Sequence, residues 1–466
     1  MQTIHKRANK GFPLLKILLV IAAIGIFAAI VLVAINLNNN RISVFSELSE
    51  NADIAVNKFT VPIRGQIYSF ANKYINSNGG DAITYLSDGS SVITGSFDET
   101  ATFGEAPGTV EILTSAGNYD IFIAKYNPDG SLAWAKKAGG TGDDWGYAIT
   151  SLSDGSTVIM GSFDETATFG EAPGTVEILT SSEGSEDIFI AKYNPDGSLA
   201  WVKKAGGTSD DSGNGITSLS DGSTMITGRF QGTATFGEAP GTVETLTSDG
   251  SWDIFIAKYN PNGSLAWAKR AGGTSNDWGY GITSLSDGST MITGDFLGTA
   301  TFGEAPGTVE TLTSEGIWDI FIAKYNPNGS LAWAKRAGGP GWDYGYEITS
   351  LSDGSTVITG GFQGTAIFGE APGTVESLTS TGSTDIFISK YNPDGSLAWA
   401  KKAGGTVSED GYGIAIREDE QAFGIVGYTD GGLVTFGPGD TGETVLDYGT
   451  DSGGFIAQYP IDGVLE

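Results

Sequence analysis

The chain contains no cysteine and only one histidine, His5. Without thiols there are no disulfides, no thiolate metal sites and no cysteine nucleophile. One histidine, set among basic residues, supplies neither a catalytic triad nor a zinc ligand set. Basic side chains are scarce too: 25 Lys and Arg face 55 Asp and Glu, for a formal net charge of -30. Residues 1–65 hold seven of the bases and three of the acids, so the negative excess lies in the remainder. Such a surface repels polyphosphates and anionic lipid headgroups, which argues against nucleic acid and leaves cations and cationic partners open. Charged residues make up only 17% of the 466, whereas glycine occurs 70 times and aromatics reach 11%. That balance fits short strands joined by tight turns rather than a helical fold.

What the chain has in quantity is repetition. Trp134, Trp201, Trp267, Trp333 and Trp399 recur at intervals of 67, 66, 66 and 66 residues. Another 66 residues back lies Tyr68, where "YSFANKYINSNGGDAIT" aligns with "WAKKAGGTGDDWGYAIT", giving six units. Each unit has four segments rich in β-formers, as in "GYAITSLS", "STVIMGSF", "DIFIAKYN" and "SLAWAKKA". Ser-Asp-Gly-Ser joins the first two, and Asn-Pro-Asp/Asn-Gly the last two. Both are turns in which glycine supplies a positive φ. A long connection containing "TATFGEAPGTVEILTS" separates the second segment from the third. The last unit ends at "YPIDGVLE", before its expected Trp strand, while "QIYSFANKY" near the N-terminus is an orphan copy of that strand. The pattern predicts an all-β, six-bladed β-propeller of four-stranded antiparallel blades over residues 65–466. An N-terminal strand would complete the last blade and close the ring.

The composite "DIFIAKYNPDGSLAWAKKAGGTGDDWGYAITSLSDGSTVITG" resembles the bacterial β-propeller units known as SBBP repeats. The resemblance implies the fold but no activity, since that family is defined by its repeat. The spacing of Ala124, Gly130 and Trp134 also resembles the Trp-docking motif of quinoprotein propellers. Only the packing role carries over, with the Trp wedged between blades and no quinone cofactor assigned.

The N-terminal segment reads differently. Residues 1–11 form a basic leader, 12–37 a transmembrane helix and 38–64 a juxtamembrane helix and linker. Ile17 to Ile35 run for nineteen residues without a charge, close to what an apolar helix needs to cross a core of about 30 Å. His5, Lys6, Arg7 and Lys10 precede the run, so the positive-inside bias predicts a single-pass protein with a cytoplasmic N-terminus and an extracytoplasmic propeller. "KGFPLLKILLVIAAIGIFAAIVLVAINL" resembles the start of type IV pilins and pseudopilins. That implies prepilin cleavage between Gly11 and Phe12, a surface or pilus-associated location, and pilus-like assembly partners. Lys16 stands where the family usually has Glu, which puts filament entry in question.

Copies within one chain show where change is concentrated. The turns "SLSDGST" and "YNPDGSLAW" barely vary. Three other places do: after the second strand ("GSFDET", "GRFQGT", "GDFLGT"), before the third ("SAGNYD", "SDGSWD", "SEGIWD") and between units ("TGDDWGY", "TSNDWGY", "PGWDYGY"). In a four-stranded blade these lie on one face of the disc and the constant turns on the other. The variable face is the predicted binding surface, with Trp145, Tyr147, Trp252, Trp278, Tyr280, Trp318, Trp342, Tyr344 and Tyr346 as contact platforms for a glycan or a protein. The alternative is that these rings shield the tops of the blades. Asp144, Asp211, Asp277, Asp343 and Glu409 each precede a repeated Gly by two positions. They are expected around the channel mouth, either as weak Ca²⁺ ligands or as acceptors of turn hydrogen bonds. Arg229 is the one unit-specific arginine in the interior region. Histidine chemistry being absent, no catalytic residue is assigned, and the expected function is a recognition or adhesion module rather than an enzyme. A structural envelope or pilus-tip component is the second reading, and a polysaccharide-acting enzyme the third.

Overall fold

The computed structural model describes residues 30–36, 41–47 and 59–62 at the level of backbone, and residues 79–465 apart from 183–184 and 418. Every regular element among them is a strand. Five repeats each supply four antiparallel strands, the second repeat for example through Asp144–Ser151, Thr157–Phe163, Asp187–Tyr193 and Leu199–Gly207. The middle two strands of each sheet are almost wholly buried because sheets pack on both of their faces, and so they read as continuous apolar runs. Each of five cores is shared by consecutive sheets. Ile121 and Ile123 of the first sheet, for instance, pack with Phe163, Phe169 and Phe189 of the second. The repeated Trp closes the same seam: Trp201 Nε1 donates to the Pro261 carbonyl of the next repeat at 3.1 Å, and its ring covers Gly263. A Cβ on Gly263, which has φ +81, would meet that ring at 2.8 Å.

The long connection is structured. Thr233–Gly237 and Val243–Thr247 pair with each other as a hairpin. The hairpin does not stay with its own sheet but pairs with the end of the preceding repeat's last strand, Gly206 with Thr235 and Gly207 with Ala234. The same crossing recurs at Gly140 with Ala167, at Gly273 with Ala300 and at Gly404 with Thr435, while Gly338 and Ile367 make a single bridge. Four sheets therefore grow to six strands, with two contributed by the following repeat. Its Thr-Ala-Thr-Phe strand alternates exposed and buried residues, as expected for one face packed and one in water.

Several expectations are overturned. The closed ring of six four-stranded blades is not what the described residues form. The sixth sheet has three strands, Glu409–Ile416, Ala422–Thr429 and Gly453–Pro460, and four of the other sheets are built up to six strands by hairpins from their neighbours, while the fourth repeat's sheet keeps four. The N-terminal strand "QIYSFANKY" expected to complete it lies outside the described residues. The transmembrane helix predicted over 12–37 is contradicted where it can be seen. Ile30–Asn36 is a strand paired antiparallel with Arg41–Glu47, which pairs in turn with Phe59–Pro62, so the juxtamembrane helix is corrected as well. Among the described residues no helix is long and apolar enough to cross a membrane. The reason is local: Ile30 to Ile35 is dominated by β-branched residues, and apolarity alone does not separate a strand from a helix. The single-pass location and the pilin-like reading lose their basis with the helix; Gly11 and Phe12 lie outside the described residues.

Candidate functional site

The first strands of the six repeats, beginning at Gly79, Asp144, Asp211, Asp277, Asp343 and Glu409, line one central cavity of about 440 Å³. Each carries the same irregularity. Pairing with the second strand slips by one residue after the repeated Gly, leaving Asp81, Tyr147, Asn214, Tyr280, Tyr346 and Tyr412 as bulged residues. A bulge bends its strand and re-aims one side chain, and it recurs beside functional sites. The repeated Gly is required by packing: a Cβ on Gly279 would meet Thr227 Oγ1 of the neighbouring sheet at 2.6 Å. The constant part of the repeat thus builds the bulge, and the variable part decides what it presents.

Asp81, Tyr147, Asn214, Glu347 and Tyr412 line the cavity. Burial pushes the Asp81 carboxyl up to about 7, with no neighbouring charge or hydrogen bond contributing. Asn214 is held by its Nδ2 donating to the Gly279 carbonyl at 2.9 Å. Burial raises the Tyr147 and Tyr346 hydroxyls well above the ordinary phenol range. At the constant-turn end, Arg417 lies against Asp419 at 2.6 Å, and Glu420 accepts from Ser352 of the fifth repeat.

The predicted platforms are brought together more tightly than separate contact points would be. Trp252 and Trp278 enclose the Arg229 guanidinium, whose carbon lies 4.8 Å from each ring centroid. Trp278 packs on Trp318 at 4.9 Å and edge-on to Tyr280 at 6.3 Å. Tyr280 reaches Tyr346 at 5.8 Å, and Tyr346 contacts both Tyr344 and Tyr412. Trp342 ends the series on Tyr344 and is the exposed member, at 45%. Trp145 and Tyr147 form a separate stack with Tyr119 in the first two repeats.

The acids expected at the channel mouth are buried and accept backbone hydrogen bonds, the second of the two roles considered for them. Asp144, Asp211, Asp277, Asp343 and Glu409 have no exposed surface, and each accepts a backbone N–H four residues earlier, such as Gly207 on Asp211 at 2.7 Å. A second buried row stands beside them, Asp120, Asp187, Asp253, Asp319 and Asp385, each paired with a cation of the outer strand. The second lysine or arginine of each repeated "KK" or "KR" pair is therefore an ion-pair partner. Among the described residues no group of three or more acidic or histidine side chains could hold a metal ion.

Sequence reasoning passed over Asp81, Asn214, Glu347, Tyr412 and Tyr119. The available signal was positional: the residue after the repeated Gly interrupts the alternation of the strand and differs in kind between copies.

A family model described as a domain of unknown function (DUF5122) β-propeller matches residues 111–132, the third strand of the first repeat and the turn that follows it. An uncharacterized WD repeat-containing protein of Acanthamoeba polyphaga mimivirus is 26% identical over 407 residues, 75% of this chain and 29% of the relative. Regulatory protein FlaEY of Caulobacter vibrioides is 24% identical over 244 residues, 51% of this chain and 23% of the relative. The chain spans less than a third of either. Together with the repeated sheets around one cavity, these similarities support a propeller repeat protein.

Proposed function

We propose that the protein is a protein-recognition module that binds through the variable face, around the mouth of the central cavity. The observation that carries this reading is the bulge shared by all six first strands. A constant scaffold presents Asp81, Tyr147, Asn214, Tyr280, Tyr346 and Tyr412, side chains of differing chemistry, at one location. Rigid rings with polar atoms at their edges supply contact area with little conformational entropy to lose, as in protein interfaces. The likeness to a WD repeat-containing protein and to a regulatory protein favours binding over catalysis. Adhesion to a glycan-bearing surface is the narrower form of the same proposal and draws on the same rings.

A photo-cross-linking residue placed at Trp342 on the variable face, or at Ser286 in a constant turn, tests the proposal in the full chain within its own host. Discrete protein adducts are expected from position 342 and not from 286. Equal adducts from both positions, or none from 342, would count against it.

A further inference from the structure

Arg229 stands apart from the other arginines whose surroundings are described. Arg270, Arg336 and Arg417 all form ion pairs, as do the outer-strand residues Lys136, Lys137, Lys203, Lys204, Lys269, Lys335 and Lys402. Arg229 forms no hydrogen bond or ion pair with any described residue, and its Nε is buried without a partner. In a chain with a net charge of -30, an arginine whose charge is felt by the Glu186 carboxyl but which forms no ion pair with it requires a reason. The fold does not demand it: the equivalent positions in sister repeats are Ser96, Ser162, Asp295, Gly361 and Tyr428.

The surroundings supply the reason. The Arg229 guanidinium carbon lies 4.8 Å from the ring centroids of both Trp252 and Trp278, and Trp318 backs Trp278 at 4.9 Å. Two aromatic rings at this distance attract the cation and restrict where the group can sit, so its N–H groups must look elsewhere for acceptors. The same cluster holds a second uncommitted donor, the buried Trp278 indole N–H. Neither tryptophan has a counterpart pair elsewhere, because the positions equivalent to Trp252 and Trp278 are both tryptophan only here. Donors without acceptors, held in a rigid aromatic frame, are complementary to a planar anion. The acidic surface disfavours a polyanion and tolerates a single carboxylate.

We infer that the Trp252–Arg229–Trp278 clamp is a carboxylate-reading subsite of the variable face, engaging an Asp or Glu side chain or a C-terminus of the protein partner. The inference rests on the proposed recognition role and adds the chemistry of one contact. A guanidinium edge meets a carboxylate with two parallel N–H···O bonds, which an ammonium group cannot reproduce.

The test is a nitrogen–proton NMR titration of the indole resonances of the full chain with N-acetyl-glutamate N-methylamide. The corresponding glutamine derivative and inorganic sulfate serve as comparison probes. The Trp252 and Trp278 signals are expected to shift saturably with the glutamate probe and not with the glutamine one. Arg229→Gln should abolish the shift, and Arg229→Lys should weaken binding by about tenfold, because a point charge replaces the bidentate edge. The other indole signals report whether each variant is folded, and Arg229→Lys carries the test if Arg229→Gln is not. No saturable shift in the wild type, a shift that survives Arg229→Gln, or equal binding of sulfate would overturn the assignment. Cross-linking from position 342 that is indifferent to Arg229→Gln would remove the clamp and leave the recognition face standing. Carboxylate binding without any cross-linking would do the reverse.

Discussion

Two carboxylates flank Gly139, and only one of them has a cation. Asp120 is paired with Lys137 at 2.8 Å, whereas Asp144 accepts the Gly140 N–H and faces Asp120, which lies on the other side of the glycine. Burial, opposed by that hydrogen bond and reinforced by the Asp120 charge, pushes the Asp144 carboxyl up to about 8. Asp211 and Asp277 are raised to about 8 and Asp343 to about 7 in the same setting. These groups hold protons in the folded state that an unfolded chain, near its usual 3.8, has already released. Stability is therefore greatest below about pH 4 in this respect and falls as pH rises through the folded values near 7 to 8. The unfolding midpoint should drop from pH 5 to about pH 8 and level off above it. Asp144→Asn, which can donate to Asp120 without needing a proton, should make that slope shallower. A midpoint independent of pH over this range would remove the argument.

Elements are coupled by the hairpin that crosses from one repeat to the sheet before it. A Cβ on Gly207 would meet the Thr233 carbonyl oxygen at 1.8 Å, so the hairpin can dock only against glycine. Gly207→Val should release the hairpin Thr233–Thr247 from the preceding sheet, seen as faster hydrogen exchange at Ala234 and Thr235, and should cost about 1 to 3 kcal/mol of stability. Unchanged exchange at those two amides would mean that the pairing contributes nothing. The tandem Trp strands and both constant turns were legible in the sequence because each uses residues with one physical purpose: a ring over a glycine, or a glycine with positive φ. The crossing hairpin was not, since alternation over four residues beside a Gly- and Pro-bearing turn also reads as a loop. The apolar run ending at Asn36 misled for the opposite reason. Its hydrophobicity matches a membrane helix, and only its β-branched residues point to the strand it forms.

At the scale of the whole molecule, a repeated scaffold surrounds one cavity, and the individuality of the chain is confined to what the bulges and neighbouring loops present. The sequence showed which rings vary, but not that Trp252 and Trp278 enclose Arg229 or that a bulge turns Asp81 and Asn214 to the cavity, because both depend on contacts between repeats. The acids before the repeated glycines were legible as turn hydrogen-bond acceptors, but their complete burial was not, because it depends on the adjacent sheet. The central claim is that recognition belongs to the variable face. It is tested most directly by measuring affinity for the cross-linked partner across alanine variants of both faces, with folding checked for each. Substitutions at Trp342, Tyr344, Tyr412 and Asp81 should weaken binding by about tenfold or more, the range of interface anchor residues, while those at Asp154, Asp287 and Asp353 in the constant turns should leave it unchanged. Losses centred on the constant turns, with the variable-face variants binding normally, would contradict the account.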